Sequence, residues 1–125
     1  MNKAPQKQTI DQERAAHALE RVEMAGTDPT SVTDSMPAMV MGSGLGPAAA
    51  FLKSKGKKEH DWVYGSLQSW LCSRSEIPWA QGQQEDLIDR LASEDSFVYR
   101  AATQEALAYL GWLKRLARAK FGKKK

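Results

Sequence analysis

The stretch SFVYRAATQEALAYLGWLKRLARAK, residues 96–120, decides the fold of this chain. It reads as one long helix with two unlike faces. At about 100° per residue, Val98, Ala102, Ala106, Tyr109, Leu113, Leu116 and Ala117 share one apolar side. Arg100, Gln104, Lys114, Arg115 and Arg118 fall on the other. Lys114 and Arg118 lie fourteen and eighteen residues beyond Arg100, close to whole numbers of turns, so the three cations line up. Beyond Glu105 the chain carries seven Lys or Arg and no acid. A helix of this kind packs by one face and offers cations by the other.

The rest of the chain carries helical patterns and no strand pattern. Thr9, with Gln12 three residues on, has the form of a capping box. The helix it opens presents Ala15, Ala18, Leu19 and Val22 as a narrow apolar stripe. Gly26-Thr27-Asp28-Pro29 breaks it. The methionine-rich segment that follows predicts a helix over 36–41, a bend at 42–46, and a helix from Pro47 to Lys55 ended by Gly56. Its methionines read as adaptable core. Trp62, Val63, Leu67, Trp70 and Leu71 recur at helical intervals within 59–75, and Ile77-Pro78-Trp79 ends that pattern. A short amphipathic helix over 83–92 carries Leu87, Ile88 and Leu91, and 93–96 supplies the linker and N-cap of the long helix. The expectation is an all-α fold, a single-domain bundle of five to six helices. Its parts are a flexible N-terminal segment (1–8), the helical bundle domain (9–121) and a basic C-terminal tail (122–125).

With 125 residues, such a chain buries one moderate core. The net charge of +3 is mild but unevenly placed. Residues 1–50 hold four basic and six acidic side chains, and residues 51–125 hold fourteen and nine. The electropositive C-terminal part suits a polyanion, either a phosphate backbone or an anionic membrane surface, unless it is a solvated face with a solubilising tail. Cys72 is the sole cysteine, which excludes an internal disulfide and reads as a small buried hydrophobe. Residues 35–52 are uncharged but interrupted by Pro37, Pro47 and three glycines, so they read as two buried helical pieces and no membrane partner is expected. The polar start MNKAPQKQ shows no signal peptide, and a cytoplasmic location follows.

Catalytic chemistry finds few candidates. His17 and His60 lie on separate helices without ligands at zinc spacing, and each reads as a satisfied surface or boundary side chain. Gly42-Ser43-Gly44-Leu45-Gly46 lacks the following Lys-Ser/Thr and the preceding strand of a phosphate cradle, and reads as a tight inter-helix bend. Glu85, Asp86, Asp89, Glu94 and Asp95 form the one acidic cluster, but as the outward side of a short helix and a cap. No catalytic residue, metal site or cofactor is expected. The basic residues carry the stronger signal: Lys53, Lys55, Lys57 and Lys58 in one cluster, Arg100, Lys114, Arg115 and Arg118 in a second, joined by Lys120 and the tail lysines. If the two clusters adjoin, they form one phosphate-tracking surface; the first also offsets a helix dipole. Trp70, Trp79 or Tyr64 would stack on bases if exposed, although Trp at helical spacing is usually core.

Three blocks, QERAAHALERV, GSGLGPAAAFLKSKG and the long-helix text, together resemble the small fifth subunit of the Cmr complex, the type III-B CRISPR RNA-guided silencing assembly. The specific part is Tyr99, Arg100, Thr103, Glu105, Leu107, Leu110, Trp112, Leu113, Lys114 and Arg115. The resemblance implies an all-helical, non-catalytic protein. It would stack head to tail as an inner filament beside other Cmr subunits, its basic surfaces facing guide RNA and target RNA. On this sequence the RNA-facing candidates are Lys53, Lys55, Lys57, Lys58, Arg100, Lys114, Arg115 and Arg118. The small subunit of the type III-A complex and an unrelated helical nucleic-acid-binding module are the other readings, and an acidic-cluster nuclease is a more distant one.

Overall fold

A computed structural model describes residues 7–80 and 86–122. Among them are six helices and no strand: α1 (Ile10–Glu23), α2 (Thr30–Ser43), α3 (Leu45–Lys55), α4 (Lys58–Leu71), α5 (Leu87–Ser93) and α6 (Ser96–Phe121). The all-α bundle expected from periodicity is what forms. Residues 1–6, 81–85 and 123–125 lie outside the described residues, and with them most of the N-terminal segment, the tail lysines, Glu85 and the expected start of the 83–92 helix.

The long helix α6 is the axis of the bundle. Its Val98, Ala102, Ala106, Tyr109, Leu110, Leu113 and Ala117 are all buried. That is the predicted face, with Leu110 added and Leu116 only partly covered. α1, α2 and α4 pack around it. Contacts between α2 and α6 step in opposite directions, Asp34 meeting Arg118 while Val40 and Met41 lie near Tyr99 and Leu107, so the two helices run antiparallel. α1 and α4 are antiparallel as well, through Arg21 to Ser66, His17 to Ser69, and Glu13 to Arg74.

Several boundaries differ from the sequence expectation, each for a local reason. α2 begins six residues before Met36, because Asp28 accepts from the backbone N–H and hydroxyl of Thr30 and turns the chain into the helix. It then runs through Pro37, which forfeits one backbone bond at a cost of about 3 kcal/mol. Burial of Val32, Met36 and Val40 offsets that. α3 starts at Leu45, two residues ahead of Pro47. α4 stops at Leu71 and not at Ser75: Arg74 turns back across the Trp70 ring, 4.2 Å from its centre, and bonds Glu13 and Glu76.

Side-chain placement brings further corrections. Leu19 leaves the stripe of α1 and is 45% exposed. Met36 is core and Met39 packs on it, but Met41 is 74% exposed. Cys72 is only half-buried, though its burial raises the thiol pKa. Thr9 does form the predicted capping box with Gln12.

Candidate nucleic-acid interface

Most of the conspicuous polar side chains of α6 prove to be structural. Glu105 is bonded by the Arg14 guanidinium through two contacts, 2.6 and 2.8 Å, and by the indole N–H of Trp70 at 2.8 Å. One carboxylate thus ties α1, α4 and α6 together, and breaking so covered a pair costs about 3–5 kcal/mol. Beside it His17 bonds the hydroxyls of Tyr109 and Ser69, while the Trp70 and Tyr109 rings stack 5.4 Å apart. Burial, then the charge of Arg21, holds the His17 pKa below its ordinary value. His17 is therefore the satisfied boundary histidine expected. His60 is not, because its buried Nδ1 has no hydrogen-bond partner.

The Gly-rich bend is explained by Tyr99. The Tyr99 hydroxyl accepts from the backbone N–H of Gly46 at 2.7 Å and so serves the first turn of α3. A Cβ at Gly46 would stand 3.0 Å from that oxygen, and Gly44 has φ +99°, a conformation that favours glycine. The motif is the inter-helix bend that the sequence suggested. Gly111 is different: a Cβ there would meet only the far end of the Arg115 side chain.

The acidic cluster is not uniformly outward, as the sequence suggested. Asp86 turns inward to accept from Tyr64 and Lys53, and its pKa is lowered first by the Tyr64 hydrogen bond. The Tyr64 hydroxyl in turn accepts from the Ile88 N–H, and the Gln68 side chain accepts from Leu87 N–H. α5 is thereby pinned to α4. Glu94 accepts from the Ala80 N–H, and Asp95 caps α6. Among the described residues no group of three or more His, Cys, Asp or Glu could hold a metal ion.

The basic candidates separate into paired and unpaired. Arg118 is held by Asp34 through two contacts of 3.0 Å, which raises its pKa. Lys53 bonds Asp86 at 3.2 Å and lies over the Tyr64 ring. Lys55 lies over Phe51, Arg115 bonds only the Gly111 carbonyl of its own helix, and Lys57, Lys58, Arg100 and Lys114 have no acidic partner among the described residues. Lys120, in the same cluster, is committed to the terminal carbonyls of α1, bonding the oxygens of Val22 and Glu23.

Those contacts also locate the clusters. The end of α1 touches the end of α6 through Lys120 and the start of α4 through Arg21, which bonds the Trp62 carbonyl. Lys58 shares a recess with Gly26 and Thr27, just past the same end of α1. The Lys57–Lys58 pair and the last turns of α6 are thus brought to one end of the bundle. Arg100 is left about 21 Å from Lys114 along α6, at the other end. None of the three proposed stacking residues is open to a base. Trp70 and Tyr64 are buried, and Trp79 is covered by Arg90 with its N–H on the Leu71 carbonyl. The exposed aromatic is Phe97, at 64%, in the first turn of α6. The spacing that buries Val98 also turns Phe97 outward, so that signal lay in the sequence beside the three expected stacking residues.

Residues 10–120 match the model of the CRISPR-associated Cmr5 proteins. The chain belongs to that family, the small subunits of the type III-B Cmr complex. Its fold is similar to the crystal structure of a CRISPR-associated Cmr5 family protein from Thermus thermophilus. The two are 27% identical with a TM-score of 0.75, over 92% of this chain and 99% of that one. No curated protein is significantly similar to the chain. Among the described residues no helix is long and apolar enough to cross a membrane.

Proposed function

We propose that the chain is a non-catalytic structural subunit of the Cmr effector. It stacks with further copies of itself and lays its basic surfaces against the guide–target RNA in the cytoplasm. The observation that carries this reading is a division of labour within the motif of α6. Tyr99 and Glu105 are used up in holding the bundle together. Arg100, Lys114 and Arg115 form no ion pair among the described residues, and Lys55, Lys57 and Lys58 form none at the end of α3 and start of α4. Cations that do no work within the fold are free to neutralise phosphates. Because such contacts read charge and not bases, sequence selection falls to the guide. Arg118 and Lys53 remain in the proposed RNA-facing set because both side chains are exposed, although each already bonds a carboxylate, Asp34 and Asp86.

Purification of the tagged chain from its native host, with sequencing of co-purified RNA and mass spectrometry of co-purified proteins, tests the assignment. CRISPR guide RNAs with a repeat-derived tag, together with the other Cmr subunits, are expected. Recovery of the chain without either would refute it.

A further inference from the structure

The first two turns of α6 carry a feature that backbone neutralisation does not use. Phe97, Arg100, Ala101 and Gln104 recur at intervals of three and four residues, so they share one face. They line a shallow recess of about 290 Å³. Arg100 and Gln104 also border a second recess, of about 440 Å³, formed with Val40, Met41, Gly44, Tyr99, Thr103 and Leu107. The two adjoin across the α6 face. The larger one owes its shape to the glycines of the bend. With no side chain at Gly44 or Gly46, Tyr99 seats its hydroxyl on the start of α3 and lies along the cleft as one of its walls.

Charge and surface character select the occupant. Arg100 is the sole charged residue lining either recess, and it forms no ion pair among the described residues. Two other recesses on the molecule each set a lysine, Lys53 or Lys58, beside Asp61 and so present mixed charge. Around Arg100 stand two strongly exposed apolar side chains, Phe97 and Met41, at 64% and 74%. An aromatic face one turn from an unpaired guanidinium, with the amide of Gln104 between the two recesses, suits a planar base joined to a phosphate. The apolar lining of the larger recess, Val40, Met41, Tyr99 and Leu107, is shared with Arg100, Thr103 and Gln104, a mixed surface that suits a nucleotide better than the apolar face of a helix.

We infer that this face of α6 accepts an unpaired nucleotide of single-stranded RNA, its base against Phe97 and its phosphate on Arg100. The inference rests on the RNA-holding reading above and adds to it a preference for unpaired over duplex RNA at this end of the bundle.

The test uses the full chain with two probes, a fluorescent oligouridine of about twelve nucleotides and a blunt RNA duplex of the same length. Phe97→Leu, which keeps bulk but removes the ring, is expected to weaken oligouridine binding about tenfold and leave duplex binding unchanged. Phe97→Trp should retain it. Arg100→Gln should weaken both probes. Far-UV circular dichroism checks folding, and an exposed position is not expected to disturb it. Equal affinity of Phe97→Leu and wild type for oligouridine, with binding of both probes weakened in the Lys57→Gln/Lys58→Gln variant, would overturn the base site while leaving the RNA reading standing. Failure of the wild-type chain to bind either probe at low salt would overturn both. A Phe97→Leu variant unchanged toward RNA but altered in sedimentation would overturn the inference in favour of a protein-docking face.

Discussion

At the scale of single residues, the bonds that matter most join helices far apart in sequence. Tyr99 reaches 53 positions back to Gly46, and Glu105 reaches 91 positions back to Arg14. Gly46→Ala places a methyl group 3.0 Å from the Tyr99 hydroxyl and displaces it, leaving the Gly46 N–H unpaired. A loss of about 1–3 kcal/mol in urea unfolding is expected. His17 provides a pH signature. Its folded-state pKa lies below the ordinary value, chiefly through burial, so the unfolded chain binds the proton more readily. The stability conferred by neutral His17 is full above about pH 6.5 and declines as the pH falls through and below that value. Denaturant midpoints should therefore drop between about pH 7.5 and 5.5, and His17→Gln should flatten that decline.

At the scale of elements, helix existence was legible and helix ends were less so. The buried face of α6 could be read from spacing alone, because a long regular helix keeps its phase over seven turns. The capping box of α1 was legible for the same local reason. The start of α2 was not, since Asp28 and Pro29 look like a plain break until the Asp28 side chain is seen to turn the backbone. Nor was the commitment of Arg118 to Asp34 or of Lys53 to Asp86, because both partners come from other parts of the chain. The outward place of Phe97 was legible too, since the spacing that buries Val98 turns its neighbour away from the core. Gly111 also belongs to this scale. Nothing in the fold crowds it, so Gly111→Ala is expected to raise stability by about 1 kcal/mol in thermal or urea unfolding of the isolated chain. If Gly111 instead serves a close approach to a neighbouring subunit, the same variant will be stable yet fail to assemble.

At the scale of the whole molecule, a net charge of +3 conceals an uneven arrangement. The bundle consumes Arg14, Arg21, Arg74 and Lys120 in its own contacts and leaves Lys55, Lys57, Lys58, Arg100, Lys114 and Arg115 on the surface without acidic partners among the described residues. Lys57 and Lys58 join the last turns of α6 at one end, and Arg100 extends the surface toward the other. Under the proposed function, these cations would contact a phosphate backbone at both ends of the bundle, as a subunit repeated beside a guide–target duplex requires. The salt dependence of RNA binding tests that claim most directly. The logarithm of wild-type affinity for RNA should fall linearly with the logarithm of salt concentration. Changing Lys57, Lys58 and Arg115 to Gln should reduce that slope by about two, near 0.7 for each phosphate no longer neutralised, with helicity unchanged. A slope and an affinity identical to wild type would contradict the account.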